Sequence, residues 1–165
     1  QPGLLAEGFV EGTEMSVETL RSDDVSLFRN ITHYLKPRWA NVVPADLAQE
    51  DVGSISELTE NVHRALGIHT GISHMELFMG ANGPVFGEIA ARPPGGYIMD
   101  LISRAYDFDP WEALLKLAVE GVPEINKTSN QYAGVWLVHP EVGTVSQVDG
   151  VDRALAIRHV QTPPG

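Results

Sequence analysis

Apolar and polar residues alternate along several short runs of this chain, and that alternation predicts strands. Residues 4–10 and 14–20 read as two strands around the bend Glu11-Gly12-Thr13, and residues 25–34 as a third after the turn Ser22-Asp23-Asp24. Residues 36–47, broken by Pro37 and Pro44, read as a loop. The period then lengthens. Residues 54–66 predict a helix in which Ser54 and Glu57 form a capping box, Leu58, Val62, Ala65 and Leu66 keep helical spacing, and Gly67 is the stop. Residues 97–106 predict a second helix, with Ile98, Leu101, Ile102 and Ala105 on one side. A third opens at Asp109, with Pro110 in its first turn, Glu112 closing the box, and a stripe of Trp111, Leu114, Leu115, Ala118 and Val119. Gly121 and Pro123 end it, residues 124–130 form a polar linker, and residues 132–138, 144–148 and 155–160 read as short strands. The expected class is α+β: an antiparallel sheet with helices packed on it over residues 1–123, then an incomplete small β-rich segment at 131–165.

Between the first and second helices, residues 72–91 alternate on both sides of Ala81-Asn82-Gly83, which predicts a hairpin. A two-residue loop at Asn82-Gly83 places Glu76 and Glu88 on opposite faces. A three-residue loop from Ala81 to Gly83, with Gly83 left-handed, pairs Gly80 with Pro84 and sets Glu76 directly opposite Glu88. The second register sorts residues more cleanly. His74, Phe78, Phe86, Ala90 and Arg92 join the carboxylate face, while Met75, Leu77, Met79, Val85 and Ile89 form a core face. Like charges placed opposite each other destabilise a sheet by roughly 0.2–1 kcal/mol. A hard cation with oxygen ligands reverses that sign, and magnesium commonly takes one or two carboxylates together with phosphates. Read alone, the pair also fits a solvated hairpin face.

Charge narrows the partners. The net charge is -11, and Lys36, Lys116 and Lys127 are the sole lysines, so the clustered cations that a nucleic-acid surface needs are missing. An acidic chain still suits a metal nucleotide, because the metal brings the positive charge. No cysteine is present, which removes disulfide and thiol chemistry. No apolar run approaches 18 residues, so no membrane span is expected. Neither a Gly-x-x-x-x-Gly-Lys-Ser/Thr loop nor a Gly-x-Gly-x-x-Gly fingerprint occurs. The six histidines show no zinc-ligand spacing and read as polar surface or turn residues. His33, Lys36 and Arg38, near the Pro44 loop, are candidates for substrate or phosphate contact. Both ends of the chain read as cuts through a longer protein.

A second constellation lies at Glu7-Gly8-Phe9-Val10-Glu11-Gly12-Thr13-Glu14. This acidic hinge, the Glu76 and Glu88 hairpin and the turn Arg92-Pro93-Pro94-Gly95-Gly96 occur in an order that resembles the C-terminal half of the ATP-grasp fold. The resemblance covers roughly residues 4–121 and is closest to ATP-dependent carboxylate–amine ligases, a group that includes amino-acid ligases and biotin-carboxylase-like homologues. It implies ATP and Mg2+ (or Mn2+) as cofactors, with small-molecule carboxylate and amine substrates. It implies Glu7, Phe9 and Val10 along the adenine, Glu14 on the ribose hydroxyls and Phe78 packed on the base. It places the metal on Glu76 and Glu88, and Arg92 at the γ-phosphate and the acyl-phosphate intermediate. The Gly95 and Gly96 amides can approach an oxyanion closely.

The family often carries asparagine two residues after the second glutamate; here that position is Ala90, which puts the number of bound metals in doubt. The resemblance implies a cytoplasmic enzyme, allows a homodimer, and leads to the expectation that this chain alone turns over little or no ATP. Two other readings compete: a biotin-carboxylase-type enzyme on the same fold, and a non-catalytic nucleotide-binding module.

Overall fold

The computed structural model describes residues 3, 4, 6–137, 144, 146, 147, 149, 150, 152 and 153. Its sheet has six strands: β1 (Thr13–Ser22), β2 (Val25–Lys36), β3 (Ala40–Val43), β4 (Gly71–Gly80), β5 (Gly83–Ala90) and β6 (Ala133–Trp136). They are ordered β5-β4-β1-β2-β3-β6, and every pairing is antiparallel. β1 lies between β4 and β2 and is buried from Met15 to Ser22. Its link to β2 is the two-residue turn Asp23-Asp24, both left-handed at φ 46° and 69°, the turn geometry that matches strand twist.

Three helices cover the sheet: α1 (Gln49–Leu66), α2 (Ile98–Tyr106) and α3 (Pro110–Val119). Met15, Val17, Ile31, Met75 and Leu77, from alternate positions of three strands, pack with Ile55 of α1. Leu20, Phe28 and Val43 pack with Ile98, Leu101, Ile102 and Ala105 of α2 and Ala113 of α3. Side chains alternate across a strand, so Leu20 shares its face with Glu14, Ser16 and Glu18. α2 and α3 therefore cover only one end of that face. No helix among the described residues is long and apolar enough to cross a membrane.

Polar groups fasten α1 to the sheet. The almost fully buried Arg21 donates from Nη1 to Glu60 Oε2 at 2.7 Å and to Ser26 Oγ at 2.8 Å. Arg29 also pairs with Glu60. Burial alone would raise the Glu60 pKa, but hydrogen bonds from Ser26 and Arg21 and the charges of Arg29 and Arg21 bring it down to about 2. His63 is fully buried, with Nδ1 3.0 Å from Arg21 Nη1 and Nε2 2.7 Å from Ser73 Oγ. Arginine can only donate, so Nδ1 accepts and Nε2 carries the proton.

Several expectations are corrected. Residues 4–10 form no strand: the described ones are irregular, with Leu4 and Phe9 almost fully exposed, because the sheet offers that segment no partner. The loop at 36–47 contains β3, whose Ala40 and Val43 are buried. α1 starts at Gln49, and its acidic first turn favours the positive end of the helix dipole. The Ser54 and Glu57 capping box therefore does not form; Ser54 Oγ donates to the Asp51 carbonyl inside the helix. The buried stripe of α1 is Ile55, Thr59 and His63, while Leu66 is exposed. α2 begins at Ile98, after a left-handed Tyr97. On α3 the expected stripe residues Trp111, Leu115 and Val119 are exposed, and Pro110 and Ala113 are buried instead. Residues 144, 146 and 147 are irregular; the rest of the strand expected at 144–148, and all of that at 155–160, lie outside the described residues. Other expectations hold: Gly67 ends α1 in the left-handed conformation, and Asp109 caps α3 by accepting from Trp111 N and Glu112 N.

Candidate functional site

Glu76 and Glu88 do face each other across β4 and β5, but by another route than the expected loop. The turn is two residues, Ala81 and Asn82, with Gly80 opposite Gly83. The extra residue sits at Gly87, where the register shifts. A Cβ there would lie 3.0 Å from the Glu76 carbonyl oxygen, a tight contact that glycine avoids at the bulge. Beyond the bulge Val85 pairs with Phe78 and Phe86 with Leu77, the reverse of the faces expected for them. The half-exposed Val85 is accordingly not a core residue.

The register lays the remaining residues out in order. Glu14 pairs with Phe78 at the entry of β1, and two residues further Ser16 pairs with Glu76, which faces Glu88. Two further on, Glu18 pairs with His74, which faces Ala90. Each such step is about 7 Å along the strands. Arg92 follows β5; it is exposed, donates to the Pro93 carbonyl at 2.9 Å, and its charge helps depress Glu76. Gly95 and Gly96 lie in the turn before α2. A Cβ on Gly95 would meet nothing within 4 Å, whereas one on Gly96 would lie 3.2 Å from Asn41 Nδ2.

Other expected residues are placed elsewhere. Glu7 and Phe9 are exposed and Val10 is only partly covered, and none joins the sheet. Their segment does reach it: a Cβ on Gly12 would lie 2.9 Å from the Met79 carbonyl, and one on Gly80 would lie 3.0 Å from the Glu11 carbonyl. His33 pairs with Met15 and so faces α1, away from the carboxylates. Lys36 lies 4.7 Å over the Trp39 ring.

A buried polar network that was not foreseen supports the carboxylates. Glu18, 1% exposed, accepts from Ser16 Oγ, Asn30 Nδ2 and Thr32 Oγ1, each at 2.7 Å, and from His74 Nδ1 at 3.0 Å. His74 Nε2 lies 3.5 Å from Glu76 Oε1, and the Tyr34 hydroxyl donates to the same oxygen at 3.2 Å. Burial alone would lower the His74 pKa, but hydrogen bonds to Glu18 and Glu76 and their charges raise it to about 9. The hydrogen bond from His74 is in turn the main cause that holds Glu76 below its usual range. The Glu14 carboxyl is pushed up, first by burial and then by the charge of Glu76. A signal for the network existed in β1, where Glu14, Ser16 and Glu18 alternate with Met15 and Val17.

Among the described residues no group of three or more histidine, cysteine, aspartate or glutamate side chains could hold an ion alone. Glu76 and Glu88 supply only carboxylate oxygens, side by side on the sheet. That chemistry fits a hard cation, Mg2+ or Mn2+, completed by phosphate oxygens and water.

Residues 2–100 match the ATP-grasp domain family. The L-arginine-specific L-amino acid ligase of Bacillus subtilis is 31% identical over 138 residues, 79% of this chain and 33% of that protein. The uncharacterized protein y4rH of Sinorhizobium fredii is 29% identical over 161 residues, 94% of this chain and 33% of that protein. The chain thus spans about a third of the length of these curated relatives. The crystal structure of an L-amino acid ligase from Bacillus licheniformis superposes with a TM-score of 0.81 at 22% identity, over 93% of this chain and 41% of that one, a likeness of fold.

Proposed function

The chain belongs to the ATP-grasp family, and from that premise we propose that it forms the metal and phosphate side of an ATP-dependent carboxylate–amine ligase. One observation carries the reading. Glu14 and Phe78, then Glu76 and Glu88, follow one another along a single sheet face, and Arg92 comes just after the end of β5, in the order nucleoside, bridging phosphates, transferred phosphoryl group. The name of the Bacillus subtilis relative adds amino acids as the expected substrate class.

In this reading Phe78 packs on the adenine, Glu14 takes the ribose hydroxyls, and Glu7, Phe9 and Val10 close on the base. Glu76 and Glu88 hold a divalent cation, which when bound neutralises phosphate charge and orients the polyphosphate. A substrate carboxylate oxygen attacks the γ-phosphorus; the bond to the ADP oxygen breaks, giving an acyl phosphate and ADP. An amine then attacks the acyl carbon, phosphate leaves with the bonding pair, and the nitrogen gives up a proton to leave an amide. Phosphoryl transfer needs alignment and charge stabilisation more than covalent help. Arg92, exposed just after β5, supplies a fixed positive charge to the group in transit. A Cβ on Gly95 would meet nothing within 4 Å, and without one its backbone stays open to an oxyanion.

The test is ADP release by the full-length protein with Mg-ATP and an amino-acid panel, with products identified by mass spectrometry. Glu88→Gln is expected to slow ADP release by about 100-fold or more, the scale of losing one electrostatic stabiliser. An unchanged rate at saturating Mg2+ sinks the metal assignment. A carboxylated product that depends on bicarbonate replaces the ligase with a biotin-carboxylase-type reaction.

A further inference from the structure

We propose that Glu18, His74 and Tyr34 form a positioning relay that holds Oε1 of Glu76 and leaves Oε2 as the oxygen presented to the divalent cation. The proposal rests on the reading of Glu76 as a metal carboxylate.

The relay begins at Glu18, whose two oxygens are both saturated. Oε1 accepts from Ser16 and His74, and Oε2 accepts from Asn30 and Thr32. A carboxylate with four donors from three strands cannot rotate without leaving a buried group unpaired. It therefore fixes the imidazole of His74, itself 6% exposed, through Nδ1. The other ring nitrogen is thereby held 3.5 Å from Glu76 Oε1, at ion-pair distance. The Tyr34 hydroxyl reaches the same oxygen from β2 at 3.2 Å. Among the described residues no hydrogen bond is made to Oε2. Glu76 is only part-buried and pairs with Glu88, so Oε2 is the oxygen left for a cation shared with that carboxylate.

A fold alone gives little reason for such a network. Burying a carboxylate is costly, and well-packed apolar groups often serve stability as well or better. Partners that orient a metal ligand are a different matter, since their loss typically weakens metal binding 10- to 100-fold.

The experiment measures Mn2+ binding to the full-length protein with a non-hydrolysable ATP analogue, reading free Mn2+ by electron paramagnetic resonance, with thermal melting of each variant alongside. His74→Gln is expected to raise the Mn2+ Kd by about 10- to 100-fold, and Tyr34→Phe by about 10-fold. In both, ADP release should recover at high Mn2+. The Glu18→Gln/His74→Gln double variant should bind Mn2+ no worse than His74→Gln, because Glu18 acts through the ring. Wild-type Mn2+ affinity in folded His74→Gln or Tyr34→Phe overturns the relay. Should His74→Gln fail to fold, Tyr34→Phe decides, since it removes one hydroxyl and keeps the ring. Wild-type affinity in Glu76→Gln overturns the metal reading instead.

Discussion

Acid should release α1 from the sheet, and His63 should be the reason. Burial, first, and the charge of Arg21, second, outweigh Glu60 and lower the His63 pKa to about 4, with Arg29 acting in the same direction. The geometry agrees: a second ring proton would point at the Arg21 guanidinium 3.0 Å away. An unfolded histidine has a pKa of about 6.5, so between that value and about 4 the unfolded chain binds the extra proton and the folded one does not. Stability from neutral His63 is therefore present above pH 6.5 and is lost as pH falls toward 4. The full shift corresponds to about 3 kcal/mol, and going from pH 7 to pH 5 removes about 2 kcal/mol. Glu60, lowered to about 2, adds loss only below the usual carboxylate range. His74, raised to about 9, has the opposite sign: its contribution is complete below pH 6.5 and is lost as pH rises through 9. The two histidines thus act on separate limbs, and the acid limb belongs to His63. The assay is amide hydrogen exchange of α1 peptides in the full-length protein, corrected for intrinsic exchange, at pH 5 and 7. The opening free energy of α1 should fall by about 2 kcal/mol in the wild type and stay nearly level in His63→Gln. Equal values at both pH in the wild type, or an undiminished slope in His63→Gln, show that His63 does not set the acid limb.

Two further variants separate fold from site. Asp109→Ala removes the acceptor of the Trp111 and Glu112 amides and should cost about 1 kcal/mol, seen as a lower melting temperature with the Mn2+ affinity unchanged. Gly95→Ala places a methyl where nothing lies within 4 Å, so melting should not move while ADP release falls about 10-fold or more through obstruction of the oxyanion approach; unaltered release removes Gly95 from the site.

The Glu76 and Glu88 pairing was legible because one extra residue on the β5 side, whether in the turn or at a bulge, brings the two into the same register. The mechanism of that pairing was not, because the extra residue is Gly87, which has no side chain to reveal a break in the alternation. β3 was hidden by its length of four residues and by prolines on both sides. The first turn of α1 was hidden because Gln49, Glu50 and Asp51 carry no apolar period and Gly53 follows. Residues 4–10 show that a strand-like pattern makes no strand without a neighbour to take its hydrogen bonds. Glu60 and His63 lie 39 and 42 residues from Arg21 in sequence. Only the packing of α1 brings them together, and no local spacing reports it. Glu18 and His74 sat in readable alternation, but their pairing required the β1 and β4 register.

β5 is the outermost strand of the sheet on its side, and it carries Glu88. The two carboxylates are therefore divided between an inner strand and the one most easily peeled away. A cation bridging them would act as a clip across that last ladder, so filling the site and keeping the rim of the sheet zipped become one event. Nucleotide occupancy should be felt first as mechanical resistance at this rim, and fraying there should empty the site while the central strands stay intact.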